Sequence, residues 1–525
     1  MGLNTEKTKR LLAIHGWSGV ILGLFLYVVV VSGSVAVFAH EIGQWSVGGK
    51  VAKGGVNLGV HDQIVSLSQN VDPSYLEAIN VFENSAGHVV AFFHTHGLND
   101  SGDPDDIGAL IEFHPVSKEV ISHREGFGSD LFGHDPLGAL DEFIVALHVS
   151  LHIPDPWGLY ATGILGFLMF VAAGSGLLIH KHLLKDIFVP PRYSSALLNK
   201  RDRHILAGSW ALPFSFVLAF TGAFLSFALS LGFPMVAKSA FGGDQIAMFE
   251  ALAGKPAIVN ETPTTAANID TILADSAKRA GSDAYAFNIT HWGRADASID
   301  VFHPNPEGEL IFQKHAYSLA QGEFREEQVP IGQAPSASNT ALILMRALHF
   351  GDFSGLISKF IWVSLGIALA YVNITGLDLW IQRRTNSVLW RRFEIATTIT
   401  GYGVNIALAC AVLGFFLSLP FGMTLFWTPA GFVLGASMSI AAGCGMQTRK
   451  SRRAALHYGL ALLLIVVPLA RIGTGGGFGR FGIDPIVVMM DLLCIIAALW
   501  MLASEITRRR GLAPHFAGPA VSPAE

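Results

Sequence analysis

The sequence predicts an α-helical polytopic membrane protein with two small α+β domains outside the bilayer, and three observations lead there. The chain has 525 residues, is 51% hydrophobic and only 14% charged, and has a mean hydropathy of +0.46, too apolar for a soluble protein of this length. Its apolar residues gather in eight stretches, roughly 14–39, 157–180, 205–230, 358–381, 394–418, 424–444, 455–471 and 484–503. Each approaches the ~20 residues that cross a hydrocarbon layer. Two long hydrophilic segments, 41–146 and 231–348, interrupt them.

Orientation follows from Lys and Arg, which flank the cytoplasmic ends of spans. They cluster in Lys7-Thr8-Lys9-Arg10, from Lys181 to Arg203, in Arg383 to Arg392, in Arg449 to Arg453 and in Arg508-Arg509-Arg510. Both termini are therefore expected inside and both long hydrophilic segments outside. Arg471 and Arg480 are the exceptions, in a short outer loop. The first apolar run exceeds the ~7–15-residue core of a signal peptide, so it reads as a retained span.

An internal repeat organises the first four spans. His15 and Gly19, Ser32-Gly33, Phe38 and Phe113-His114-Pro115 recur as His204 and Gly208, Thr221-Gly222, Phe227 and Phe302-His303-Pro304, all at an offset of 189. Leu165-Gly166 and Ser175-Gly176 recur as Leu365-Gly366 and Thr375-Gly376 at an offset of 200, and Leu147-His148 as Leu348-His349 at 201. Both halves start and end inside, so the repeat is parallel, about an axis along the membrane normal. The expected organisation is a first span in 1–40, an outer domain in 41–146, a second span in 147–183 and a cytoplasmic loop in 184–203. A third span in 204–230, a second outer domain in 231–348, a fourth span in 349–382 and a four-span region with a cytoplasmic tail in 383–525 complete it.

Within the outer segments, alternation in His88 to His94, Ala109 to Phe113 and Val120 to His123 predicts an antiparallel meander turning at Pro115-Val116-Ser117-Lys118. A helix over Ile269 to Ala280 and strands near Tyr285 to Thr290, Ala297 to Phe302 and Glu309 to His315, with a turn at Pro304 to Gly308, repeat the pattern.

Composition excludes several chemistries. Cys410, Cys444 and Cys494 all fall in spans, so the outer domains have no disulfides, and without C-x-x-C-H or a cysteine cluster there is no covalent c-type haem, zinc or iron–sulfur site. No basic stripe interleaved with aromatics marks a nucleic-acid surface. Gly473-Thr474-Gly475-Gly476-Gly477-Phe478-Gly479 lacks the strand-to-helix context and Lys-Ser/Thr ending of a phosphate loop, and reads as a connection between spans.

Ile14-His15-Gly16-Trp17-Ser18-Gly19, Leu147-His148, Arg203-His204-Ile205-Leu206-Ala207-Gly208-Ser209-Trp210 and Ala347-Leu348-His349-Phe350-Gly351, each expected to open a span, resemble the PepSY-associated transmembrane proteins of bacterial inner membranes. The resemblance covers about residues 10–385 and includes ferric-siderophore reductases. It implies haem between bis-histidine ligands, PepSY-like outer domains and reduction of ferric chelates on the periplasmic face.

Histidine in an apolar span is costly unless paired or functional, and neutral imidazole is a good haem ligand. By repeat symmetry, His15 and His204 would hold an inner haem b, and His148 and His349 an outer one. His180 or His182 at the inner level, and His152 or His40 at the outer, are the alternatives. Interfacial histidines can also do no more than hydrogen-bond at the headgroups. His94 and His96 share one strand face and form a weaker candidate iron contact. Phe25, Tyr27, Phe220, Phe224, Trp362 and Tyr371 could flank haem or pack.

The resulting expectation is a cytochrome b-like membrane oxidoreductase that reduces a periplasmic ferric-siderophore, fed by a quinol or a separate reductase, since no nicotinamide or flavin fold is present. A haem-free receptor binding a protein partner, or an iron or solute transporter, are the alternatives. Spans five to eight carry no Asp, Glu or Lys well inside except Asp491, which weighs against transport.

Overall fold

The computed structural model describes residues 5–99, 104–180, 188–192, 195–253, 259–305, 312–329, 335–384, 387–475 and 482–509. Among these, eight helices are long and apolar enough to cross a membrane: Thr5–Ala36, Trp157–Ile179, Leu197–Ala240, Gly355–Gln382, Val388–Phe421, Thr424–Gly445, Arg449–Thr474 and Pro485–Thr507. They match the eight expected stretches and make this a multi-pass membrane protein. Several run a turn or more beyond their apolar cores, because long basic side chains such as Lys7, Lys9 and Arg10 can extend a helix into the polar interface.

The first span packs on the second and fourth, and the third packs on the same two, so the four close into a ring. Leu26, Val30, Met169, Leu218, Ala219 and Leu369 fill its middle. Glycine lets the backbones approach: a Cβ at Gly166 would stand 3.1 Å from the Ala223 amide nitrogen of the third span. The fifth span packs on the sixth and seventh, and the seventh on the eighth.

The two hydrophilic segments do not fold as separate domains. They share one eight-stranded antiparallel sheet built from β1 (Ala78–Glu83), β2 (Val89–Leu98), β3 (Pro104–Phe113), β4 (Val120–Phe127), β5 (Ala286–Thr290), β6 (Ser298–His303), β7 (Gln313–Ser318) and β8 (Phe324–Gln328). Its order is β4-β3-β2-β1-β5-β6-β7-β8, mirrored about the β1 to β5 junction. Each meander alone would leave β1 or β5 as an unpaired edge, and their pairing removes both edges. One apolar core follows, in which Ile64, Ile79, Phe93 and Phe113 of the first segment join Ile272, Phe287 and Val301 of the second. Helix Ile269–Ala280 appears as expected, capped by Asn268 accepting from the Thr271 amide and ended by Gly281 at φ 71°. Strands β1 and β8 and helix His61–Ser68 are additions to the expected elements, and residues 306–311, which hold part of the expected turn and strand, lie outside the described residues.

The second and fourth spans begin later than expected. His148 lies on a separate helix, Ala139–Val149, and His349 on another, Ala337–Phe350. Pro154 and Pro156 interrupt the first connection before Trp157, and Gly351 at φ 67° ends the second helix. Neither histidine opens a span.

Spans five to eight brace the sheet-bearing end of this assembly. Arg471, fully buried, forms a bidentate pair with Asp491 (Nη2 to Oδ2 2.6 Å, Nε to Oδ1 2.9 Å), and Trp45 Nε1 donates to the same carboxylate at 2.9 Å. Gln44 donates to Asp484 at 2.7 Å, and Thr424 Oγ1 donates to the Pro136 carbonyl at 2.5 Å. Asp491 is thus tied into packing. Arg471→Leu alone should lower the thermal midpoint in detergent by the equivalent of about 3–5 kcal/mol, because Asp491 is left as an uncompensated buried charge, whereas the double variant with Asp491→Leu should recover most of the loss. Equal loss in single and double variants would count against this reading.

Candidate functional site

Two histidine pairs form inside the four-span ring. At the inner level the His15 and His204 ring centres are 6.4 Å apart at 72°. His15, from the first span, turns its Nδ1 to the Ala172 carbonyl of the second span at 2.9 Å, with Ser175 Oγ at 3.3 Å. His204, from the third span, turns its Nδ1 to the Val372 carbonyl and Thr375 Oγ1 of the fourth, both at 3.1 Å.

At the outer level the His148 and His349 centres are 6.0 Å apart at 26°. His148 Nδ1 meets the Val29 carbonyl of the first span at 2.9 Å, and His349 Nδ1 meets Thr221 Oγ1 of the third span at 2.9 Å. The outer contacts lie 14 to 18 residues beyond His15 along the first span, so at 1.5 Å per residue the two levels are about 21–27 Å apart. That separation spans most of a ~30 Å hydrocarbon layer.

These contacts fix the tautomers. A carbonyl only accepts, so Nδ1 of His15, His148 and His204 carries the proton. Thr221 gives its own proton to the Val217 carbonyl at 2.7 Å, so it too accepts from His349. In all four rings Nε2 is left with a lone pair, and no described residue hydrogen-bonds it.

Each ring rests on a glycine. A Cβ at Gly33 would stand 2.6 Å from His148 Cε1, one at Gly222 would stand 3.0 Å from His349 Cε1, and those at Gly176 and Gly376 would stand 3.3 and 3.2 Å from Cε1 of His15 and His204. The Ser-Gly and Thr-Gly dipeptides of the sequence repeat are therefore histidine cradles. The glycine makes room for the imidazole, and the preceding hydroxyl bonds back to its own helix, as Ser32 does to Val28 and Thr375 to Tyr371. Repetition at the histidine offsets was the available signal for this role.

The pairs fit a metal held between two imidazoles. Each ligand nitrogen sits about 2 Å from such a metal and about 1 Å from its own ring centre, so the centres come about 6 Å apart at any mutual rotation. Both pairs have that spacing.

The other histidines are elsewhere. His152 follows the end of its helix at φ 55°, so it shares no helical face with His148, and its ring stacks on Phe143 at 4.3 Å. His40 is exposed on helix Ala39–Ser46, and His180 caps the second span. His182 lies outside the described residues. His457 bonds the Met501 carbonyl at 2.9 Å, and His114 and His303 bond turn and helix groups beside their strands. Trp362 donates to the Leu348 carbonyl at 2.9 Å, steadying the helix end that carries His349, and Tyr27 donates to the Gly401 carbonyl at 2.8 Å. On the helix that carries His148, burial and then repulsion from Asp135 push the Asp141 carboxyl up to about 6. His94 and His96 lie together on β2, on the sheet. Near them, burial acts to raise the Asp106 carboxyl, but its interaction with both histidines outweighs burial and holds it well below the usual range.

The cradles predict the sign of a glycine substitution. Glycine to alanine in a helix interior ordinarily stabilises by about 1 kcal/mol. Gly19→Ala, where nothing lies within 4 Å of the new Cβ, should keep that gain. Gly33→Ala should lower the thermal midpoint in detergent, and a gain there would show that His148 does not depend on the cradle.

A protein of Pseudomonas aeruginosa, Uncharacterized protein PA4219, is 27% identical over 290 residues, which is 52% of this chain and 71% of that protein. The pattern that defines the PepSY-associated TM region matches residues 12–383, the four-span ring with its sheet, and by that match the chain belongs to this family.

Proposed function

We propose that this protein is a transmembrane oxidoreductase of the bacterial inner membrane that holds one haem b at each histidine pair and reduces a ferric chelate at the face bearing the sheet. The carrying observation is the two pairs, each about 6 Å between ring centres, with every Nδ1 bound and every Nε2 left as a lone pair. When bound, haem supplies reversible one-electron chemistry at its iron. The chain orients the imidazoles, excludes water between the levels with Leu26, Val30, Met169, Leu218 and Leu369, and offers the sheet as a hydrophilic docking surface. A ferric-siderophore is the substrate class implied by the family resemblance. Its Fe³⁺ gains one electron, and the Fe²⁺ formed is released because the chelator holds it more weakly.

The Lys and Arg distribution supports cytoplasmic termini, with electrons entering from a quinol or a separate reductase. The first four spans read as a duplication, since each pair takes one ligand from each half and all four cradles recur at the repeat offsets.

Two outcomes test this. Protein from haem-sufficient cells should lose the same half of its b-type absorbance in His15→Ala as in His204→Ala, and the other half in His148→Ala as in His349→Ala. Loss in His152→Ala or His180→Ala with none in their neighbours would overturn the pairing. In sealed vesicles, dithionite-reduced protein should be re-oxidised by an impermeant ferric-siderophore on the sheet side and not by the iron-free chelator. Re-oxidation only from the opposite face would reverse the proposed direction.

A further inference from the structure

A second constellation lies away from the histidine pairs, on the sheet. Residues 94 and 96 point to one face of β2, and the antiparallel register sets His96 opposite Asp106 and His94 opposite Gly108 of β3. One ligand atom from each of His94, His96 and Asp106 lies within 4.8 Å of the others. His96 Nδ1 is 2.6 Å from Asp106 Oδ1, and His94 Nδ1 is 3.4 Å from Asp106 Oδ2.

His94 is the telling member. It is only 2% exposed, and neither ring nitrogen makes a hydrogen bond. Buried imidazoles ordinarily find hydrogen-bond partners, and the nearest polar group, Asp106 Oδ2 at 3.4 Å, is not placed to be one, which needs a reason. It is also held in place: Phe92 stacks on it at 4.5 Å and 8°, and a Cβ at Gly108 would stand 2.8 Å from His94 Cβ. The half-exposed side chains of His96 and Asp106 can swing in from the open side. Ligands sharing one ion stand about 4 Å or less apart, which a small torsional change reaches.

We propose that His94, His96 and Asp106 bind a divalent first-row transition ion. Two imidazoles and one carboxylate suit Fe²⁺, Co²⁺, Ni²⁺, Cu²⁺ or Zn²⁺, whereas Ca²⁺ and Mg²⁺ require oxygen-rich shells. Three protein ligands leave coordination positions open, as a site that takes up and hands on an ion needs. Fe²⁺ as its natural occupant rests on the reductase reading, because that reaction would deliver Fe²⁺ to this surface. Binding itself does not.

The test uses full-length protein in detergent, purified without a histidine tag. Titration with Co²⁺ should give visible d–d bands saturating at about one ion per chain, and anaerobic Fe²⁺ and Zn²⁺ should compete while millimolar Ca²⁺ does not. Losing a direct ligand should cost at least the roughly tenfold seen for an outer-shell partner. His96→Gln and Asp106→Asn, at half-exposed positions, should therefore weaken Co²⁺ binding by about tenfold or more at unchanged thermal midpoint. His94→Ala should abolish the bands. Unchanged Co²⁺ affinity in Asp106→Asn, or equal competition by Ca²⁺, would overturn the proposal. His15→Ala and His349→Ala should bind Co²⁺ normally. A haem-free preparation that still binds Co²⁺ would thus remove the reductase reading alone, and a haem-bearing one that does not would remove this site alone.

Discussion

An imidazole carried into an apolar bundle must have both nitrogens satisfied, and the first four spans are arranged around that requirement. Among apolar spans an unpaired ring nitrogen costs more than it would at a surface. The chain meets half of the need itself. His15, His148 and His204 donate Nδ1–H to carbonyls of adjacent spans, and His349 donates to a threonine hydroxyl whose own proton is already engaged. Main-chain carbonyls in a helix lie along its axis, and a glycine four residues on removes the Cβ that would stand between such a carbonyl and an incoming ring. Gly33, Gly176 and Gly376 do this for Val29, Ala172 and Val372, and Gly222 makes room for His349 beside Thr221. The other half, the four Nε2 lone pairs, is what a bound metal centre would satisfy.

The remainder of the molecule holds these rings in register. His148 sits on a helix outside the second span, so its position depends on what packs against Ala139–Val149. Phe143 of that helix meets Phe432 of the sixth span at 5.3 Å, Thr424 caps the approach at Pro136, and Arg471, Asp491 and Trp45 lock spans seven and eight to helix Ala39–Ser46, which follows the first span. Lys359 of the fourth span and Glu41 of helix Ala39–Ser46, which follows the first span, pair at 2.6 Å at the same end. The four C-terminal spans thus act as a buttress for the helix that carries His148. The shared sheet adds a second constraint, because the pairing of β1 with β5 ties the two halves together beyond the bilayer.

Much of this was legible in the residues. Spans are read well because hydropathy over twenty residues is a collective signal, and the four ring histidines stood out because the repeat singled them out. The breaks at Pro154, Pro156 and Gly351 were also present in the sequence, and weighing them would have separated His148 and His349 from the spans they were expected to open. The union of the two outer domains was not legible, since β1 and β5 pair across some two hundred residues and neither strand carries a mark of its partner. The role of Ser32-Gly33, Ser175-Gly176, Thr221-Gly222 and Thr375-Gly376 lay between these cases. Their recurrence was visible, yet their meaning depends on which helix faces which. His94 and His96 were seen as a pair, while Asp106 joins them only through strand register.

A structure determined experimentally from protein purified out of haem-sufficient cells tests the central claim most directly. The account predicts planar density between His15 and His204 and again between His148 and His349, with Nε2 of each ring within bonding distance of its centre and each Nδ1 still on its carbonyl or hydroxyl partner. Imidazoles meeting each other or ordered water, with no group between them at either level, would contradict it.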